Sequence, residues 1–370
     1  MTLRCTYGYK DDDPRKLASE WNRGLACFYV IAKSVDFGLA REGRFKLEEE
    51  RRQQNRSRDV TVRVKGEKEG EEPPSCNPAA RLLPRGVFDA LEVSLAMRGI
   101  GWDFGKHTPI PPITRPLERG AFVRATVSNV ILLLLVNDLC NAILQRTLGM
   151  SPHGASMFFP DVPPIQRYAS STAIHLVVGL TILFGVAIVY DFASLFGVLV
   201  LRQSPAVWPP IFGNPLKAHS LHDFWGRTWH QAFRHTFLIL GGLPGGWVAG
   251  SAGMVLGCFL ASGLCHEFGM AAAGKKFDTR VLAFFLLQGL GILLEKAFKA
   301  LSGKRVGGLI GFAWTAFFVL GIGQMCTESW LNRGWAGRKT IPPTVSPAKR
   351  LWLPLAELAL RSLSLVGSTR

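Results

Sequence analysis

Two stretches of this chain gather the side chains that could do chemistry. Ser220-Leu221-His222-Asp223-Phe224-Trp225-Gly226-Arg227-Thr228-Trp229-His230-Gln231 packs two His, one Asp and one Arg among three aromatics. Thirty-six residues after His230 comes His266, in Phe259-Leu260-Ala261-Ser262-Gly263-Leu264-Cys265-His266-Glu267, at the end of an apolar run. Both lie between segments apolar enough to enter a bilayer. Titratable groups are expensive there, so such clusters mark functional sites by default. An imidazole can take a hydroxyl proton as the oxygen attacks a thioester carbonyl. His266 is therefore a candidate general base for acyl transfer. Ser262, four residues earlier, could orient its ring, and Gly263 would let another helix or a substrate approach closely. A Ser262–His266 nucleophile pair lacks the third member of a triad.

The first stretch has the pattern of one face of a helix. Over 218–235, at about 100° per residue, His219, Asp223, Arg227, His230 and Arg234 fall within an arc of roughly 80°. His222, Trp229 and Phe233 form the adjoining aromatic face. Asp223 and Arg227 stand at i,i+4, the spacing of an ion pair that would set the helix against a bundle. Arg227, Arg234 and Lys217 are candidate partners for the phosphates of CoA. The plainer reading is an interfacial helix whose Trp and Arg anchor at headgroups. The density of His, and a second His deep in another apolar run, argue against it. His266 alone could equally sit at the membrane surface. Glu267 reads as structural, paired with a basic group.

The elements that must position these residues are membrane segments. The chain has 370 residues, 48% hydrophobic and 19% charged, with a mean hydropathy of +0.18. Apolar runs at 122–148, 172–201, 237–243, 247–265, 281–298 and 306–325 predict an all-α polytopic bundle of roughly six to eight membrane segments. Residues 24–40 are apolar but short and carry Lys33 and Asp36. They read as a re-entrant or interfacial helix, or the remnant of a span. Three units follow: 1–83 with a charged, disordered cytosolic loop over 41–81; a membrane-embedded unit over 84–330; and a basic tail over 331–370 with an interfacial helix at 351–365.

Several classes are set aside. The net charge of +16 forms no basic stripe interleaved with aromatics in a soluble segment, so nucleic acid is not expected. Basic loops flanking apolar spans suit an anionic cytosolic leaflet. Seven scattered Cys predict neither a disulfide framework nor a metal site. Met1–Glu20 lacks an apolar core behind a basic start, so insertion through internal spans is expected. Asn137-Asp138 looks like half of an aspartate-rich diphosphate site, and Asp191 is a second intramembrane acid. A membrane terpene cyclase or prenyltransferase would use them, but needs paired carboxylates for Mg²⁺. A transporter would show an inverted repeat of broken helices, and none is visible.

The two stretches resemble the wax-synthase-like branch of the membrane-bound O-acyltransferases (MBOATs). The first is similar to that branch's S-L-x-D-F-W-G-R-x-W-[NH] signature and the second to its S-G-x-x-H-E signature. Arg98-Gly99-Ile100-Gly101-Trp102 is similar to a segment common in fungal members. The resemblance covers roughly 85–330 and implies a multi-helix acyltransferase of the endoplasmic reticulum. Such an enzyme moves an acyl group from acyl-CoA, its co-substrate, to a lipophilic alcohol. His266 matches the family's catalytic His, and His230 the polar partner that is Asn in many relatives. Asp223, Trp225, Arg227, Trp229, Arg234 and Ser262 would bind substrate or support the site. Fungal members commonly acetylate terpenoids and meroterpenoids, so acetyl-CoA is expected over the long-chain donor of a wax ester synthase. The family's usual first spans are weak or absent before residue 120, which implies a shortened N-terminus or an altered gene model.

Overall fold

The computed structural model describes residues 16–40, 43–47, 84–148, 153–337, 341–355 and 357–358. Most of the charged loop expected over 41–81, and the tail beyond 358, lie outside these residues. Among the described residues seven helices carry the fold: α1 Leu17–Leu39, α2 Arg85–Leu95, α3 Arg119–Leu148, α4 Pro164–Leu199, α5 Arg234–Ala272, α6 Thr279–Ser302 and α7 Gly308–Asn332. Five of them, α3 to α7, are long and apolar enough to cross a membrane. Their outer faces carry exposed Leu180, Val189, Phe192, Leu290 and Phe317, as a surface wetted by lipid requires.

The five helices answer to the expected six to eight segments because α5 is folded back on itself. Ala249 and Gly250 leave helical geometry, Gly250 at φ 57°, a conformation that glycine adopts at little cost. The arms 234–248 and 251–272 then pack antiparallel. A side chain at Gly257 would lie 2.0 Å from the Gly241 carbonyl oxygen, and one at Gly253 2.0 Å from that of Gly245. Only bare backbone permits this approach. The short arm, at about 22 Å, is less than a bilayer core in length; the long arm, at about 33 Å, matches it.

Residues 24–40 prove to be part of α1, which turns its polar side inward. Glu20, Lys33 and Asp36 are buried while Val30, Val35, Phe37 and Leu39 are exposed. Asp36 is the hub. Arg44 pairs with it and with Asp103 (3.0 Å), and His235 Nε2 of α5 stands 2.9 Å away. Burial alone would raise the Asp36 carboxyl, but the bonds from His235 and Arg44 hold it below the usual carboxylate range. Lys33 donates to the Val93 carbonyl and Tyr29 to that of Ser94. Helix α1 is thereby tied to the 93–103 segment and packs along α5. Elsewhere α3 packs on α4 and α6 on α5. Asp138 accepts from Ser346 and the Ala348 amide, and Asp191 from Arg115 and Asn129. Each acid is thus committed to its own protein partners.

Candidate active site

The segment 218–235 is not one helix. Ser220 Oγ accepts from the Asp223 amide (3.0 Å) and starts a single turn, Leu221–Asp223. The Glu295 carboxylate of α6 accepts from the Leu221 (2.6 Å) and His222 (3.0 Å) amides, satisfying donors that a helix start leaves free. A wide turn over Phe224–Thr228 follows, and Trp229 is extended, with ψ 152°. Gln231 takes over the freed carbonyls, donating to those of Trp225 (2.9 Å) and Trp229 (2.7 Å).

This break overturns the expected stripe. Asp223 and Arg227 remain at the surface, 3.7 Å apart, with the Arg227 side chain 63% exposed. Such a pair contributes under about 1 kcal/mol, so it does not anchor the segment as a buried pair would. Arg234 is also exposed and leans back to the Gly226 carbonyl (3.4 Å) and Gln231 (3.1 Å). His230, freed from the stripe, turns inward. Its ring lies among Phe212 (5.8 Å), Trp229 (5.5 Å) and Phe233 (6.2 Å), and its Nδ1 is buried without a hydrogen-bond partner. Burial pushes this imidazole down to about 4, so it is neutral at physiological pH.

His266 arrives from the long arm of α5. Leu260, Leu264 and Phe268 follow the outer side of that arm. His266 is about 160–200° round from Leu264 and Phe268 yet only half-buried, so the open part of its ring faces inward. It stacks on Phe285 of α6 (5.0 Å, 9°) and meets Trp330 of α7 (5.5 Å) and Trp21 of α1 (6.1 Å). Its Nδ1 has no partner either, so Ser262, though buried nearby, does not hold the ring through that nitrogen. Gly263 does admit a helix, for its side-chain position lies 3.2 Å from Leu282 Cα of α6. Glu267 is bonded by Arg333 at both oxygens (2.8 and 2.9 Å) and by the Asp278 amide (2.8 Å), which locks the end of the arm.

The hairpin register is what brings the two motifs together. Gly241 beside Gly257 and Gly245 beside Gly253, carried back along the arms, sets Leu264 level with Arg234 at the start of the short arm, with His266 two residues and His230 four residues past that level. The imidazoles lie within electrostatic reach of each other. Trp225 connects their surroundings: it packs on Trp229 (5.9 Å), Phe259 (6.0 Å) and Phe285 (6.3 Å), and its indole donates to Gln288 (3.1 Å).

Trp21, Trp330, Phe285, Gln288 and Glu295 were not foreseen. Gln288 and Glu295 carried a signal, being polar groups inside an apolar run. Trp21 and Trp330 carried none, because only tertiary packing brings them to His266.

A sequence model of the membrane bound O-acyl transferase family matches residues 208–287, which contain both motifs and both imidazoles. Over that stretch, about a fifth of its length, the chain is similar to this family. It is similar to Acetyltransferase aurG of Calcarisporium arbuscula, 31% identical over 37% of this chain and 38% of the relative. It is 29% identical to Acetyltransferase eriL of Hericium erinaceus, over 60% and 62% of the two chains. It is 25% identical to O-Mevalon transferase macI of Penicillium terrestre, over 69% and 58%. The chain therefore spans about four to six tenths of the length of these curated relatives. No solved structure matches.

Proposed function

We propose that this membrane-embedded chain transfers an acetyl group from acetyl-CoA to the hydroxyl of a lipophilic alcohol, a terpenoid or meroterpenoid, in the endoplasmic reticulum. One observation carries the reading: two motifs from separate elements converge on a pair of inward-facing imidazoles. Each has an unpartnered ring nitrogen and aromatic walls. The names of the relatives, acetyltransferases and O-mevalon transferases, support acyl transfer.

In this reading His266 takes the proton of the bound hydroxyl as its oxygen bonds to the thioester carbon. The C–S bond then breaks, and the departing thiolate recovers that proton from His266. His230 is neutral and can donate one N–H to the reacting carbonyl or hold the alcohol. The aromatic walls exclude water, which would otherwise compete as acceptor. Arg227, Arg234 and Lys217, all exposed along the segment, are the cationic groups offered to the CoA phosphates. The O-mevalon transferases favour a second reading, in which the group moved is a larger acyl.

Deletion of the gene followed by mass analysis separates these outcomes. The proposal predicts accumulation of an alcohol lighter than the lost product by one acetyl group. A larger difference supports the second reading. An unchanged metabolite profile contradicts both.

A further inference from the structure

Buried polar groups without partners are few in native proteins, and each calls for an explanation. Around His266 three of them meet: its own Nδ1, Trp21 Nε1 and Trp330 Nε1. They come from α5, α1 and α7. Trp21 is 9% exposed and Trp330 6%. The three rings form a closed triangle, with centroids 5.5 Å apart for Trp21–Trp330, 5.5 Å for His266–Trp330 and 6.1 Å for Trp21–His266. Two other indoles have acceptors supplied, Trp225 donating to Gln288 and Trp208 to Gln203, each at 3.1 Å; that of Trp314 also lacks one, but it stands away from both imidazoles, against Phe318. The place beside His266 is also shaped for an indole. A side chain on Gly269 would lie 2.2 Å from Trp21 Nε1.

An indole N–H only donates, so what completes this cluster is an acceptor oxygen. We propose that Trp330, seconded by Trp21, donates its N–H to the carbonyl oxygen of the acyl donor and holds the oxyanion that forms there. The inference rests on the acyl-transfer reading above. As the hydroxyl oxygen bonds to the thioester carbon, the π pair of the C=O bond moves onto that oxygen and the proton passes to His266. As the pair returns, the C–S bond breaks and the CoA thiolate takes the proton. Donors fixed in a water-poor site stabilise that charge more than water does, and cost no reorganisation.

The test is Trp330→Phe, which keeps a ring and removes the N–H. Wild type and variant are purified in detergent and assayed for CoA release from acetyl-CoA, with the best acceptor from a panel of long-chain and terpene alcohols. The proposal predicts kcat lower by about 10²-fold with KM for acetyl-CoA unchanged. It also predicts a Tm equal to wild type or higher, because removing an unsatisfied buried donor costs little or stabilises. A merely structural Trp330 would lower Tm instead. Wild-type kcat in the folded variant, or a change confined to KM, overturns the proposal. Should Trp330→Phe not be recovered folded, Trp21→Phe is read by the same criteria. A wild-type protein that releases no CoA with any alcohol of the panel contradicts the acyl-transfer reading itself, a result distinct from any difference between the variants.

Discussion

At the scale of single residues, the two imidazoles were legible from their motifs but their surroundings were not. The spacing of Asp223, Arg227, His230 and Arg234 suits a helix, and the structure keeps only its first turns. Local spacing cannot reveal that Gln231 will cap the carbonyls of Trp225 and Trp229, nor that His230 then points away from the two arginines. The inward turn has a consequence for pH. His230 is pushed from an ordinary 6.5 to about 4 by burial. Between those values the unfolded chain binds a proton that the folded one refuses, so stability falls as pH drops through that window. Thermal unfolding of the detergent-extracted protein from pH 8 to 4 checks this. His230→Asn, which cannot titrate, should lose less stability than wild type between about pH 6.5 and 4. Parallel losses in the two proteins would remove His230 from the account.

At the scale of elements, the apolar runs announced the helices, and the Gly-rich sequence around 241–257 announced a close approach without saying of what to what. The structure shows that the approach lies within α5, arm against arm. A turn residue with positive φ and four facing glycines leave little trace in hydropathy, which explains why the run reads as separate short segments. The hairpin also sets the distance between the imidazoles, so its packing should control activity. Gly257→Ala places a methyl 2.0 Å from the Gly241 carbonyl oxygen, and the arms must part to admit it. We expect a loss of about 1–3 kcal/mol in stability and a fall in kcat larger than in KM, because the reacting groups separate. Unfolding and steady-state kinetics of the variant measure both. Full activity with intact stability would mean that the arms are not held as described.

At the scale of the whole molecule, the site is assembled from five separate parts of the chain. The hairpin brings His266, the 208–233 segment His230, α6 Phe285 and Glu295, α7 Trp330, and α1 Trp21. The all-α membrane architecture followed from composition and from runs such as 281–298. The role of α1 did not, because its buried Lys33 and Asp36 made it a poor span by hydropathy. Those charges are answered by Arg44, just past the helix, and by His235 and the Val93 carbonyl, both distant in sequence. The central claim is that this assembly exists to let His266 carry a proton during acyl transfer. The most direct measurement is acyl transfer by purified wild type and His266→Ala, with acetyl-CoA as donor and the alcohol that accumulates in the deletion strain as acceptor. The account predicts that turnover falls by roughly 10²–10⁴-fold while the amount of folded protein is unchanged. Near wild-type transfer by a well-folded His266→Ala protein would contradict it.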